Sequence, residues 1–312
     1  MISITIGLAV LAALMTVYIS TSSTSRQSAS VARMSEDAAI LFSLLGVDLH
    51  TAGFSPPRLL VSPGGAIVNG VKMTTPDRNF VGAAIRGCDK GFTDATKKGA
   101  FTDLACADIS GTGAASFAIR FESDPANGLV NTSPVTVSGV VYPSNCLNEG
   151  VKIKQSSAID PTDAARNYFL VDSRYFVGVS ASSSTTEMSC AGIVDGVAGT
   201  DFNPQPLVQY VENMIISYGV AQDAISTDVV RYMTAKQIDD ELTGDVDARW
   251  ARVVSVKICL LMMGSEPDAS AVGSYIDCAG NTVTPTDGRA RRAFSSVFAL
   301  RNRSGLATGG GA

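Results

Sequence analysis

Apolar positions open the chain without interruption and then narrow to a stripe. Residues 1–19 read MISITIGLAVLAALMTVYI, and no charged residue precedes Arg26. A helix of about 20 apolar residues spans a hydrocarbon core, so this stretch is long enough to cross a membrane. Beyond Arg26, the apolar residues Val31, Met34, Ala38, Leu41, Leu45, Leu49 and Ala52 recur at spacings of three and four, which marks one buried face of a helix. Arg33, Glu36, Asp37 and Asp48 fall largely off that face. No proline occurs before Pro56, and Gly53 offers a helix stop. Together the patterns predict one continuous helix over 2–52, roughly 75 Å long at about 1.5 Å per residue. Its first half is apolar all round and its second half amphipathic. The Ser/Thr run over 20–25 is its predicted weak point, because such side chains compete for backbone hydrogen bonds.

Downstream the period changes. Residues 55–115 are rich in Gly, Pro, Thr and Asp, and Pro56-Pro57, Pro63-Gly64-Gly65 and Gly111-Thr112-Gly113 mark a long loop excursion. Short strands are predicted over 116–121, 135–142, 168–171 and 175–179. Leu207, Val211, Met214 and Tyr218 have helical spacing, whereas Met214, Ile216, Tyr218 and Val220 alternate. That combination predicts a turn of helix becoming a strand near Asn213. Val254, Val256, Ile258, Leu260 and Met262 form one face of a strand with Ser255 and Lys257 opposite, and Phe294, Ser296, Phe298 and Leu300 belong to the last strand. Residues 301–312 read as a polar, Gly-rich, mobile tail. One long helix followed by antiparallel strands is an α+β plan.

Composition narrows the function classes. An apolar share of 46% against 17% charged excludes a disordered chain. A net charge of −5 and a pI near 5.0 exclude a dedicated nucleic-acid binder. The six cysteines (Cys88, Cys106, Cys146, Cys190, Cys259 and Cys278) contain no C-x-x-C, and His50 is the only histidine. Zinc sites, which use closely spaced Cys and His, are thereby excluded. An even number of scattered cysteines behind a membrane segment implies an oxidising compartment and disulfides, with buried free thiols as the alternative. Six cysteines allow many pairings.

A cleavable secretory signal would need a basic region before the apolar run, and there is none. The Ser30-Val31-Ala32 site lies too far beyond Ile19 to serve it. Charge and cysteines disagree about orientation. Arg26 and Arg33 would place the C-terminal side in the cytoplasm, whereas the cysteines place it in the periplasm. The conflict disappears if a basic leader precedes Met1, so an in-frame upstream extension is expected.

No G-x-S-x-G elbow, P-loop or H-E-x-x-H is present. A Ser-His-Asp triad would have to use His50, whose place at the helix end suits an interaction with the helix dipole instead. The acidic residues Asp239, Asp240, Glu241, Asp245 and Asp247 offer oxygen ligands for calcium, but their spacing departs from an EF-hand; they read as a solvated loop. Arg289, Arg291 and Arg292 form a small basic cluster. Contact with DNA, edge protection and solubility all account for it. The expectation is a non-enzyme without cofactor or metal, in which changes to His50, the acidic run or the arginine cluster leave function near normal.

The stretch MISITIGLAVLAAL, followed by a helix ending Asp48-Leu49-His50-Thr51-Ala52-Gly53-Phe54, resembles the N-terminal helix of type IV pilins of the PilW family. In that family a basic leader, a Gly-Phe junction and a Thr-Leu-Val-Glu-Leu segment come first. Met1 matches the methionine after that segment, so the family's glutamate has no counterpart in this sequence. Three further stretches are similar in order and spacing. Asn145-Cys146-Leu147 and Glu187-Met188-Ser189-Cys190 flank Asn167-Tyr168-Phe169-Leu170-Val171. Pro206-Leu207-Val208-Gln209-Tyr210-Val211-Glu212-Asn213-Met214 runs into Tyr218-Gly219-Val220. Last come Ala251-Arg252-Val253-Val254-Ser255-Val256-Lys257 and Arg291-Arg292-Ala293-Phe294, with Ala299-Leu300-Arg301-Asn302-Arg303 at the end. The family's cysteine soon after the long helix is replaced by Phe54-Ser55-Pro56-Pro57.

The resemblance implies a pilin-like division. Residues 1–25 form the membrane and filament-core half of the helix, where Ile4, Leu8, Leu11 and Leu14 pack. Residues 26–53 form the amphipathic half, where Leu41, Leu45 and Leu49 face the sheet. Residues 54–303 form a periplasmic head, and residues 304–312 a flexible tail. The expected bridges are Cys146–Cys190, Cys259–Cys278 and Cys88–Cys106. The implied role is a minor pilin that sits in the bacterial inner membrane and then in an extracellular fibre. It would prime assembly and sit in the tip complex, with other minor pilins, the major pilin and a tip adhesin as partners. Twitching, adhesion and DNA uptake all follow equally, and contact with nucleic acid is left open. The alternatives are a pseudopilin of a type II secretion system and an enzyme behind a signal anchor.

Overall fold

The computed structural model describes residues 2–56, 67–68, 71–72, 79–80, 82–96, 101–123, 135–152, 154–155, 162–164, 167–180, 182–192, 204–224, 226–267 and 273–302. Helix α1 (Ile2–Thr51) is a single helix of 50 residues. The Ser/Thr run does not break it, because hydroxyls there bond back along the helix instead of opening it. Thr24 Oγ1 donates to the Ser20 carbonyl at 3.0 Å, and just upstream Thr16 Oγ1 donates to Ala13 at 2.8 Å. Gly53 ends the helix with φ +76°, and its N–H donates to the Arg120 carbonyl at 2.7 Å. A Cβ at this position would lie 2.6 Å from the Asn302 carbonyl oxygen. Both the left-handed backbone and the close approach therefore call for glycine.

Two large antiparallel sheets follow among the described residues, beside three two-stranded ones. The first contains β1 (Ile85–Cys88), β2 (Ser116–Ser123), β3 (Tyr168–Val179), β4 (Thr186–Gly192) and β5 (Gln205–Gln209), in the order β5-β4-β3-β2-β1. The short strand Lys154–Gln155 also pairs with β3. The second contains β6 (Val211–Val220), β7 (Arg231–Met233), β8 (Val253–Met263) and β9 (Arg291–Ala299), in the order β7-β6-β8-β9. The chain changes sheet at Tyr210, whose φ is +63°. The Tyr210 N–H donates to Thr186 in the first sheet at 2.8 Å, while its carbonyl accepts from Met263 N–H in the second at 2.9 Å. One residue thus joins both ladders, and no helical turn precedes Asn213 as the spacing had predicted.

Three other expectations change. Residues 135–142 form a hairpin, Val135–Val137 with Val140–Tyr142, and not one strand. Ser138 (φ +50°) and Gly139 (φ +80°) make its two-residue turn, the geometry that matches strand twist. The two strands expected over 168–171 and 175–179 are one strand of 12 residues. Its polar middle is buried and stays in the ladder because it is internally paired: Asp172 accepts from Arg120 Nε at 3.0 Å and from Arg174 Nε at 3.2 Å. The acidic segment is helical, with α2 (Ala235–Glu241) and α3 (Val246–Trp250). The tail over 304–312 lies outside the described residues.

The core forms where α1 lies over both sheets. Met34, Ala38, Leu41, Leu45 and Leu49 from the helix join Phe117, Ile119 and Phe121 from the first sheet and Met214, Ile258, Leu260 and Phe298 from the second. Strand β8 is buried on both faces, so Val253, Cys259 and Leu261 are shielded as well as the alternating set.

The six cysteines lie as Cys88–Cys106, Cys146–Cys190 and Cys259–Cys278, with Cα separations of 5.3, 6.5 and 5.7 Å. The second closes the longest loop, at a sequence separation of 44. It ties the loop after the 135–142 hairpin to β4. Replacing both its cysteines with alanine is expected to cost about 4 kcal/mol in the chain-entropy picture, read by denaturant unfolding. Peptide mapping without reductant checks the pairing, and crossed bridges would overturn it.

Candidate functional site

In the first half of α1 the described large apolar side chains are exposed. Ile4, Leu8, Leu11 and Leu14 are each 60% or more exposed, and the helix carries no charge before Arg26. It is a helix long and apolar enough to cross a membrane. In water such a surface is unfavourable at about 25 cal/mol per Å² of apolar area, so the half-helix needs lipid or other helices around it.

The second half is held by a fitted seat. Leu41, Leu45 and Leu49 are fully buried. Gly46 faces Phe298 so closely that an added Cβ would meet the ring at 3.1 Å. Phe42 packs on the same ring at 6.2 Å, and His50 meets it edge-on at 6.3 Å. The His50 carbonyl accepts from Asn302 Nδ2 at 2.7 Å. Past the helix, Ser55 Oγ and Asn79 Nδ2 both donate to the buried Glu122 carboxylate. The helix C-terminus is thus fixed to both sheets by packing and by polar contacts.

One element of this seat is chemically unusual. Asp48, on the last turns of α1, accepts a hydrogen bond from the buried Tyr175 hydroxyl. It lines a cavity of about 230 Å³ between α1 and the 144–148 loop, together with Leu44, Val47, Ser144 and Asn145. Burial raises the Asp48 carboxyl above its ordinary value, partly offset by the Tyr175 bond. Burial pushes the Tyr175 phenol well up as well. Sequence reasoning placed Asp48 off the buried stripe, because the seat that encloses it comes from distant strands.

A folded-state pKa that is raised gives stability that is fully present below the unfolded value and lost as pH rises through the folded one. Asp48→Asn keeps an acceptor for Tyr175 and cannot ionise. Wild type and variant are therefore expected to melt together below pH ~4, with the wild type melting lower as pH approaches neutrality. Thermal unfolding across pH checks this, and a gap that did not vary with pH would overturn it.

The acidic run is structural and not a solvated loop. Asp245 caps α3 by accepting from Ala248 N–H at 2.8 Å, and Asp239 accepts from Trp250 Nε1 at 2.8 Å. Asp247 accepts from Ala83 N–H at 3.1 Å, and Glu241 pairs with Arg231 at 2.8 Å. Thr234 and Gln237 form a reciprocal capping box on α2, a T-x-x-Q signal legible in the sequence that sequence reasoning missed. Among the described residues no three His, Cys, Asp or Glu side chains converge on a metal position. The arginine cluster is likewise engaged. Arg289 donates to the Gly264 and Ser265 carbonyls, Arg291 pairs with Glu212 and Asp287, and Arg292 lies 5.5 Å over Phe294. Arg291 holds the Asp287 carboxyl well below the usual range. Functional neutrality of these two clusters is therefore no longer expected, since Asp239 and Arg291 brace the head.

An apolar exposed half-helix continuous with a disulfide-stapled α+β head describes a membrane-anchored chain whose head suits an oxidising compartment. Residues 174–302 match the family model of the type IV pilus-assembly protein W. The matched segment runs from the middle of β3 to the residue that caps the helix seat, Asn302, and so takes in the whole second sheet with α2 and α3. The match supports a role in type IV pilus assembly. Comparison with curated proteins and with solved structures gives no match.

Proposed function

We propose that this chain is a minor pilin of a type IV pilus, working by packing and not by catalysis. Its N-terminal half-helix sits in the inner membrane and then passes into the filament core among the helices of other minor pilins and the major pilin. Its head primes assembly and takes a place in the tip complex, beneath an adhesin, in support of twitching, adhesion or DNA uptake. The observation that carries this reading is the uncharged, exposed first half of α1 rigidly continued into a head whose second sheet matches the pilus-assembly family model. The test is deletion of the gene with complementation by the full coding region. Surface pili counted by electron microscopy are expected to fall at least tenfold and to return on complementation. Normal pilus numbers in the deletion strain, with a defect in protein secretion instead, would move the chain to a type II secretion system.

A further inference from the structure

Asp48 brings a carboxylate to a cavity that gives it one partner. Tyr175 Oη donates to Oδ2. Oδ1 has no partner among the described residues, and it is not one of the sealed polar atoms, so it is reached from the cavity. No charged side chain acts on the group. The polar groups that face it from other elements are neutral: Ser144, Asn145 and Asn148 in the loop, and Ser173 on β3. Glu149, next in the loop, is tied to Asn145 Nδ2 at 3.1 Å. A carboxylate withdrawn from water without a cation is costly. The wall around it is fixed. Asn145 Oδ1 accepts from the N–H groups of Leu147 and Glu149 at 2.9 and 3.1 Å, and Cys146 N–H donates to Ser173 Oγ at 3.3 Å. The Cys146–Cys190 bridge pins the same loop to β4.

We propose that this cavity is a binding site for a small primary amine, with the ammonium on Asp48 Oδ1 and a short alkyl chain against Leu44, Val47 and Leu207. The donor set selects this ligand class. A guanidinium forks onto both oxygens of a carboxylate, and Tyr175 already holds one of them. An ammonium is a point charge with three rotatable donors. One meets Oδ1, and the hydroxyl and amide oxygens of Ser144, Asn148 and Ser173 are the acceptors for the others. A calcium ion takes about six to eight oxygens, several of them from carboxylates, whereas this wall has one carboxylate and a large apolar share. A cavity of about 230 Å³ holds an amine of a few carbons. Proton and amine compete for the same carboxylate, because the ammonium pairs only with its ionised form. Alkyl ammonium groups stay charged to about pH 10. Affinity therefore falls as pH is lowered through the folded-state value of Asp48, which burial has raised.

The test uses the full chain in detergent micelles, with n-butylamine hydrochloride as the probe. Isothermal titration calorimetry reads affinity, and thermal unfolding near neutral pH reads stabilisation. Butylammonium is expected to raise the wild-type melting temperature toward that of Asp48→Asn. Tetramethylammonium at the same concentration carries the charge without an N–H and is expected to leave it unchanged. Asp48→Asn keeps its acceptor for Tyr175 and is expected to lose affinity at least tenfold, the loss typical of a desolvated charge pair. Leu44→Lys places an ammonium four residues before Asp48 on the same helix face. It is expected to fill the cavity from within and to remove the response to added amine, which decides the case even if Asp48→Asn folds poorly. Wild-type affinity is expected to fall as pH is lowered from 7 toward 4. The proposal is overturned if the two cations act alike, if either variant responds as wild type does, or if affinity is unchanged by acid. Nα-acetyl-lysine methylamide, which carries the same ammonium on a peptide unit, is expected to bind no tighter than butylamine. Tighter binding would give the site to a lysine side chain of another protein and overturn the small-amine reading.

Discussion

Leu11→Asp is expected to abolish piliation while leaving the head folded. Leu11 is 60% exposed, near the middle of the charge-free segment that precedes Arg26. A carboxylate at the centre of a membrane helix costs about 2.5–3.5 kcal/mol on insertion scales. Burial among apolar helices in a filament offers it no better partner. The head should not notice, because the first residue of α1 in the core cluster is Met34, more than twenty positions downstream. The measurement therefore has two arms. Membrane fractionation with pilus counting is expected to show loss of insertion and of fibres. Near-UV circular dichroism of the purified protein is expected to match wild type. Normal fibres from the variant would sink the membrane and filament-core role of this half-helix.

How much of this was legible depends on where the determining contacts lie. The helix was read to within a residue at each end, because its signals are local: an apolar run, a 3–4 stripe, then Gly53. The α+β plan followed from the change of period. The strand boundaries did not follow. Asp172, Ser173 and Arg174 look like a break in an apolar pattern, yet they continue β3 because Arg120, on the neighbouring strand, supplies a partner for Asp172. Tyr210 looks like an ordinary member of a strand or helix, and its positive φ is imposed by hydrogen bonds to two different sheets. The short helices α2 and α3 carry too few residues for periodicity to show, though their caps at Thr234 and Asp245 were written in the sequence. Asp48 is the clearest case of an illegible site. A lone acid on the outer side of an amphipathic helix reads as solvated, and only the fold brings Tyr175 and the 144–148 loop around it.

Leu45→Ala is expected to cost about 2–5 kcal/mol of head stability, and Leu41→Ala a similar amount. Both side chains are fully buried in the cluster that joins α1 to the two sheets. The seat has little room to collapse around a deletion. Gly46 already lies in tight contact with Phe298, and Phe42 and His50 hold that ring from two further directions. The backbone beyond is pinned at Gly53 by Arg120. A rigid surround converts a missing isobutyl group into a cavity, so the upper part of the range is expected for Leu45. Leu44→Ala supplies the control on the same turn. Its side chain is 47% exposed, so its effect on the stability of the single molecule should stay within about 0.5 kcal/mol. Urea unfolding of the detergent-solubilised chain, followed by Trp250 fluorescence, separates the cases, since Trp250 is buried against Tyr218 on the head side. If Leu44→Ala were as damaging as Leu45→Ala, the helix would not be seated by the face assigned to it. If both were neutral, α1 would be an anchor attached to the head and not part of its core. The physical claim is that one helix serves two solvents, with the face toward the sheets bound by packing and the opposite face left free for a neighbour.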